Sequence, residues 1–333
     1  MTNSNAKNNH QLHSVEWLRG FAMLSVCFTH YKIHFITSGI WWKLLLWNDF
    51  GVSLFFVISG FVIPYAMYQS EYTWHHIGKF FKKRFIRVYP TFLCGFILSI
   101  LLMYIAYWFS PFHVGGSPQL TAKYIIGNLF LIPHFLHEQW YSPVLWTLAI
   151  EVQFYFFIAL AFPLIFHANK GISMLAIIGS SLIQFICKNE LIFFFHVMVF
   201  MLGIVSSLYF LKRLTTMEWG FISILLLIGI YFKMEMTFSK FIALPVGCLI
   251  ILFIPLKSKF LAFCGKISYS YYLLHILVGS SVIIELGKEL IAIFQIEGIL
   301  AQNLLTFSTI FLMIPISWIW FKLFEEPFQK VFK

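Results

Sequence analysis

Apolar runs of about twenty residues, separated by short polar or basic stretches, recur from one end of the sequence to the other. A helix needs roughly 20 such residues to cross the hydrocarbon of a bilayer. Ten spans are predicted on that criterion, at about 15–35, 50–69, 91–109, 145–167, 172–187, 191–211, 219–232, 240–256, 268–287 and 302–323. The fifth and seventh are short. The expected fold is therefore all-α: a polytopic membrane bundle of about ten transmembrane helices. One membrane-embedded domain over 15–333 follows an N-terminal tail, 1–14. The first run does not read as a cleavable signal, because Arg19 interrupts it, no small-residue cleavage site follows, and it carries Thr29 and His30. The longest connection, about 110–144, starts at Ser110-Pro111 and turns at Gly115-Gly116-Ser117-Pro118. Its apolar stretch from Tyr124 to Leu136 predicts a short interfacial or re-entrant helix, and long loops of this kind are often functional.

Composition sharpens the class. The 333 residues are 60% hydrophobic, 20% aromatic and only 11% charged, with 41 Phe, where a soluble domain carries about 25% charged residues. This excludes a disordered chain, a nucleic-acid-binding domain and an ordinary cytosolic enzyme. The net charge of +10 belongs instead to the loops. With the N-terminus inside, and Lys240 and Lys322 counted with the segments they flank, the inner segments hold 15 basic residues and the outer loops six. The positive-inside rule then places both termini in the cytoplasm, in a multi-pass protein of the inner or plasma membrane. Cys27, Cys94, Cys187, Cys248 and Cys264 all lie in or beside apolar runs, and no pair has metal-ligand spacing. They read as small buried hydrophobes.

Ionisable residues inside the spans carry the chemistry, since each costs about 2.5–3.5 kcal/mol at mid-membrane. Arg19 and His30 are eleven residues apart on the first span. At 100° per residue they share one face, with a rise of roughly 16 Å between them. Taken alone, Arg19 also suits a snorkelling anchor and His30 a packing histidine. After the second span comes Lys82-Lys83-Arg84-Phe85-Ile86-Arg87-Val88-Tyr89-Pro90. On a helix, Arg84 and Arg87 project from one face, and two guanidinium forks grip phosphates bidentately. The alternative is plain positive-inside anchoring. Glu151 interrupts the apolar start of the fourth span, where interface packing is the rival role. Gly51, Ser53, Ser59 and Gly60 in the second span suit close helix approach. Tyr271 and His275 are i, i+4 neighbours that need buried partners. His134 and His137 have no further ligand candidates at suitable spacing, so no metal is expected.

Together these pieces resemble acyltransferase family 3, integral membrane O-acyltransferases. The resemblance runs through most of the chain: Arg19-Gly20-x-Ala22 with His30 after ten intervening residues, then Phe55-Phe56-Val57-Ile58-Ser59-Gly60-Phe61. It continues with Arg84-x-x-Arg87-x-Tyr89-Pro90, the block from Trp146 to Tyr155, Gly265-Lys266-Ile267-Ser268-Tyr269 through His275, and Glu325-Glu326-Pro327-Phe328. Two departures stand out. Relatives often have an acid or proline at the position of Ser53, and two consecutive acids where this chain has Glu151-Val152; both changes bear on the acceptor. The resemblance shows no extra hydrolase-like domain and so implies the minimal form.

It implies transfer of an acyl group, usually acetyl, from acetyl-CoA or another acyl-CoA to a hydroxyl of a cell-envelope glycan or similar acceptor, without a metal. The expected partners are acyl-CoA, the acceptor and the lipid bilayer, not nucleic acid. His30 is expected to remove the hydroxyl proton, Arg19 to orient or charge-stabilise the site, and Glu151 to hold the imidazole tautomer; either the thioester arm threads inward to His30 or an acyl-histidine carries the group across. Arg84 and Arg87 are expected to bind the nucleotide end of coenzyme A at the cytoplasmic mouth. Arg19, His30 and Glu151 should then line one cavity. The rival classes are a transporter, which would show internal repeats and broken helices in matching positions, and a non-catalytic polysaccharide-export accessory protein.

Overall fold

A computed structural model describes residues 2–32, 50–109, 120–296 and 298–330, and the regular structure among them is entirely helical. The first helix, α1, runs Thr2–Lys32 and so continues through the segment read as a tail. It is followed by α2 (Gly51–Gln69), α3 (Ile77–Phe109), the short α4 (Ala122–Leu129), α5 (Trp146–Ile165), α6 (Lys170–Ile186) and α7 (Val197–Phe210). Then come α8 (Thr216–Lys233), α9 (Phe238–Phe253), α10 (Lys259–Lys266) and α11 (Ser268–Leu274). A π-helical segment, His275–Ile284, joins α11 to α12 (Glu285–Ile293). Helix α13 (Ile299–Trp320) passes through a second π segment, Phe321–Glu325, into α14 (Glu326–Lys330). Several starts are capped by side chains that take up free backbone N–H groups: Thr121 on α4, Asn169 on α6, and Thr215 with Glu218 in a reciprocal box on α8.

Five helical stretches are long and apolar enough to cross a membrane: Gly51–Gln69, Trp74–Trp108, Trp146–Ile165, Thr216–Lys233 and Leu300–Lys330. These are five of the ten expected runs; the others are carried by shorter, divided or incompletely described helices. The runs near 172–187, 191–211 and 240–256 become helices of 17, 14 and 16 residues. At 1.5 Å per residue these fall short of a hydrocarbon core about 30 Å thick. The run 268–287 is divided between α11, the π segment and α12. The long connection contains α4 and a 3₁₀ turn, Pro133–Leu136, as two short pieces; its Ser110–Pro118 portion lies outside the described residues, as do 33–35 of the first span.

Apolar side chains cover the outside as well as the core. Ile97, Leu101, Tyr104 and Trp108 of α3, and Leu300, Leu304, Phe307 and Phe311 of α13, are exposed at helical spacing. A water-soluble fold would bury such stripes, and lipid accommodates them. Inside, two helix crossings set the scaffold. Gly60 of α2 lies against the Phe200 backbone, and Gly203 of α7 against Val57, so closely that a methyl group at either site would meet backbone at 2.1–2.2 Å. Gly20 of α1 and Gly265 of α10 pack in the same manner against Leu261 and Glu16. The glycine beside Arg19 and the glycine of Gly265-Lys266 therefore belong to one helix contact, which fixes α1 against the segment leading into α11.

Candidate active site

Five helices converge on an open-mouthed cavity of about 960 Å3, the space of its mouth included. Arg19 comes from α1, Ser59 from α2, Arg84 and Arg87 from α3, Thr147, Glu151 and Tyr155 from α5, and Tyr269 and Tyr272 from α11. Three cations thus face one carboxylate. Glu151 Oε1 accepts hydrogen bonds from the Tyr155 hydroxyl at 2.7 Å and from Ser59 at 3.4 Å. The Arg84 guanidinium lies 5.5 Å from the Tyr155 ring centre and 5.6 Å from that of Phe80, close enough for cation–π attraction. Among the described residues, none of the three guanidiniums makes a hydrogen bond or an ion pair. A positive site with unused donors of this kind fits an anionic ligand.

A second cavity adjoins the first and shares Arg84 and Arg87 with it; Ser70, Tyr72, His76, Lys79 and Lys83 complete its polar wall, with no carboxylate among the lining residues. The turn that forms this wall is pinned to α5: Tyr72 donates to the Ala159 carbonyl at 2.9 Å and Trp74 Nε1 to Leu160 at 3.0 Å. On the opposite side, Tyr269 donates to the Val88 carbonyl at 2.8 Å, tying α11 to α3. Thr91 anchors α3 to the second π segment through Phe324 at 2.8 Å.

Four of the five candidate residues, Arg19, Arg84, Arg87 and Glu151, therefore share one wall. His30 does not line the cavity. It is partly buried on α1, and its ring centre stands 5.3 Å from that of His275. The ring of His275 is in turn 5.6 Å from that of Tyr272, which does line the cavity. The expected grouping of Arg19, His30 and Glu151 is thus met by Arg19 and Glu151 alone, because the rise along α1 carries His30 to another level of the bundle. Glu151 is bonded to Tyr155 and Ser59, and the ring beside His30 is His275. Arg84 and Arg87, expected to hold the nucleotide end of coenzyme A at the cytoplasmic mouth, line the same cavity as Arg19.

Sequence reasoning passed over Tyr155, although its i, i+4 spacing from Glu151 signals contact on a helix. It also passed over Glu325 as a polar core residue. That carboxylate is buried, accepting from Ser270 at 2.5 Å and from Gln329 at 2.8 Å. Its neighbour Glu326 instead gathers Lys322, Lys330 and Lys266 at 2.9, 3.3 and 3.9 Å. Among the described residues there is no group of three metal-ligating side chains.

An acyltransferase domain, that of the acyltransferase 3 family, matches residues 12–322. Three named relatives show the range of similarity. ORF330 of Acidianus two-tailed virus, named as an inferred acetyltransferase, is 29% identical over 291 residues, covering 78% of this chain and 81% of its own. Nodulation protein 10 of Rhizobium leguminosarum bv. viciae is 26% identical, across 46% of this chain and 44% of that protein. The O-acetyltransferase OatA of Staphylococcus aureus is 26% identical over 48% of this chain, but the match spans only 26% of OatA. No solved structure gives a significant match. With the family domain spanning nearly the whole chain, from before Arg19 into the second π segment, the protein belongs to the acyltransferase 3 family and is an acyltransferase.

Proposed function

We propose that this protein is a membrane O-acyltransferase that moves an acyl group, usually acetyl, from acyl-CoA to a hydroxyl of a cell-envelope carbohydrate or similar acceptor. The observation that carries the donor assignment is the set of three guanidiniums, unpaired among the described residues, around one cavity. Coenzyme A is polyanionic at its nucleotide end and nearly neutral along its thioester arm. Arg84 and Arg87, with Lys79 and Lys83 beside them, suit the phosphates, and the adjoining cavity suits the arm. Names of relatives such as O-acetyltransferase favour acetyl as the group and oxygen as the acceptor atom. In this reading the chain crosses the cell inner or plasma membrane about ten times, with both termini in the cytoplasm.

The chemistry follows from the weakness of a sugar hydroxyl as a nucleophile. A neutral imidazole, His30, takes the hydroxyl proton as the oxygen attacks the thioester carbonyl carbon. The carbonyl oxygen becomes an anion for as long as the tetrahedral centre lasts; Arg19, roughly 16 Å from His30 along α1, lines the cavity with Arg84 and Arg87 and adds to the positive charge that orients the donor. The carbon–sulfur bond then breaks, the thiolate of coenzyme A leaves, and the imidazolium returns the proton to it. Ester and free thiol are the products. Glu151 keeps the Tyr155–Ser59 side of the cavity polar and offsets part of the guanidinium charge.

The test is transfer of labelled acetyl from acetyl-CoA by purified protein. His30→Gln keeps shape and hydrogen bonding but cannot shuttle a proton, so turnover should fall about 100-fold or more while acetyl-CoA still binds. Substantial turnover in that variant would remove His30 from the reaction and leave Glu151 or His275 as the base.

A further inference from the structure

His275 is fully buried, on the first residue of the π segment that follows α11. Its Nδ1 lies 2.6 Å from the carbonyl oxygen of Tyr272. A carbonyl only accepts, so Nδ1 carries the hydrogen and Nε2 presents a bare lone pair. Among the described residues, that Nε2 has no hydrogen-bond partner. A buried acceptor left unsatisfied costs about 1–3 kcal/mol, and such groups in a native fold call for a reason.

The surrounding fold holds this ring firmly. Tyr31 donates to the His275 carbonyl at 2.8 Å, locking the start of the π segment against α1. Tyr272, whose own carbonyl holds Nδ1, is fixed through its hydroxyl to the Val144 carbonyl and to Thr147. The ring that packs against His275 from α1 is that of His30, centre to centre 5.3 Å and inclined at 52°. An imidazole acting as a base needs its second nitrogen oriented by another group. Glu151, the carboxylate first expected there, is bonded elsewhere.

We infer that His275 is a positioning residue for His30: its Nε2 lone pair accepts the N–H of the His30 imidazole and so fixes which His30 nitrogen faces the acceptor hydroxyl. The unsatisfied Nε2 is the open half of that contact, and catalytic hydrogen bonds of this kind often close only when substrate is bound. The inference rests on His30 being the base of the proposed acyl transfer.

Two substitutions separate orientation from packing. His275→Asn retains a donor for the Tyr272 carbonyl but is too short to reach the Nε2 position, whereas His275→Gln places an amide oxygen there. With His30 properly held only in the second, the Asn variant should lose about 100-fold in kcat, with KM for acetyl-CoA unchanged. The Gln variant should stay within about tenfold of the parent. If the Asn protein fails to bind acetyl-CoA at all, His275→Phe, which keeps the ring volume, replaces it with the same expected split. Parent-like kcat in the Asn or Phe variant, or equal losses in both Asn and Gln, would overturn the positioning role. Either result leaves acyl transfer itself intact, since that reading stands or falls with His30→Gln.

Discussion

Arg84 and Arg87 share a spacing and a helix but not an environment. Arg84 is half-buried over Tyr155 and Phe80, and Arg87 is exposed at the wall common to both cavities. Packing of Arg84 on two rings keeps its fork oriented before any ligand arrives, which lowers the entropy lost on binding. A charge-assisted hydrogen bond to a phosphate contributes about 1.5–3 kcal/mol. Arg84→Ala and Arg87→Ala should therefore each weaken acetyl-CoA binding by about 10- to 100-fold, read by calorimetry on protein in detergent. Parent-like affinity in the double variant would return both residues to a purely topological role.

At the scale of elements, close approach decides where the side chains end up. Pro90 sits inside the 33-residue α3 and has no N–H to donate to the carbonyl of Ile86. It separates the basic turn bearing Arg84 and Arg87 from the apolar part of the same helix. Gly203 and Gly60 let α7 and α2 meet backbone to backbone, which holds Ser59 at the cavity wall. Gly203→Ala forces those helices apart and should destabilise the protein by about 1–3 kcal/mol, the range for overpacking, seen as a lower Tm. Gly220 of α8 has open space around it. Gly220→Ala should therefore be neutral or stabilise slightly, because alanine is the better helix former. Equal Tm losses in the two variants would mean that the α2–α7 crossing is not the sensitive contact.

The whole molecule presents an apolar exterior around a cavity with an excess of positive charge. Only five described stretches have membrane-crossing length and composition, and three shorter apolar helices, α6, α7 and α9, accompany them. In α7 the residues from Val197 to Leu208 are all buried, so a helix of 14 residues is enclosed by its neighbours rather than by lipid. The excess of Lys and Arg on the proposed inner segments sets a topology that reporter fusions test. Fusions at the N-terminus and after Lys333 should both report the cytoplasm, and one at Lys123 the opposite side. A C-terminal fusion reporting the outer side would require an odd number of crossings.

The sequence by itself determined the solvent, the class of structure and the chemical alphabet of the site. Sixty per cent hydrophobic residues in long runs allow no fold except apolar helices in a bilayer, and ionisable residues within those runs are costly enough to mark function. Arg19 and Glu151 were legible for that reason, and Arg84 and Arg87 through their i, i+3 spacing in the basic stretch after the second span. Tertiary structure decided which of them meet. Facing along one helix is readable at 100° per residue, but contact between helices depends on the glycine crossings, on π segments and on loop paths that have no local period. So Arg19 and His30, on one face of α1, serve different neighbourhoods: Arg19 reaches Glu151, Arg84 and Arg87 at the cavity, while His30 meets His275 across the bundle. How far each apolar run is enclosed by neighbouring helices, as α7 is, was likewise a matter of packing, because hydrophobicity alone does not distinguish a lipid neighbour from a protein one.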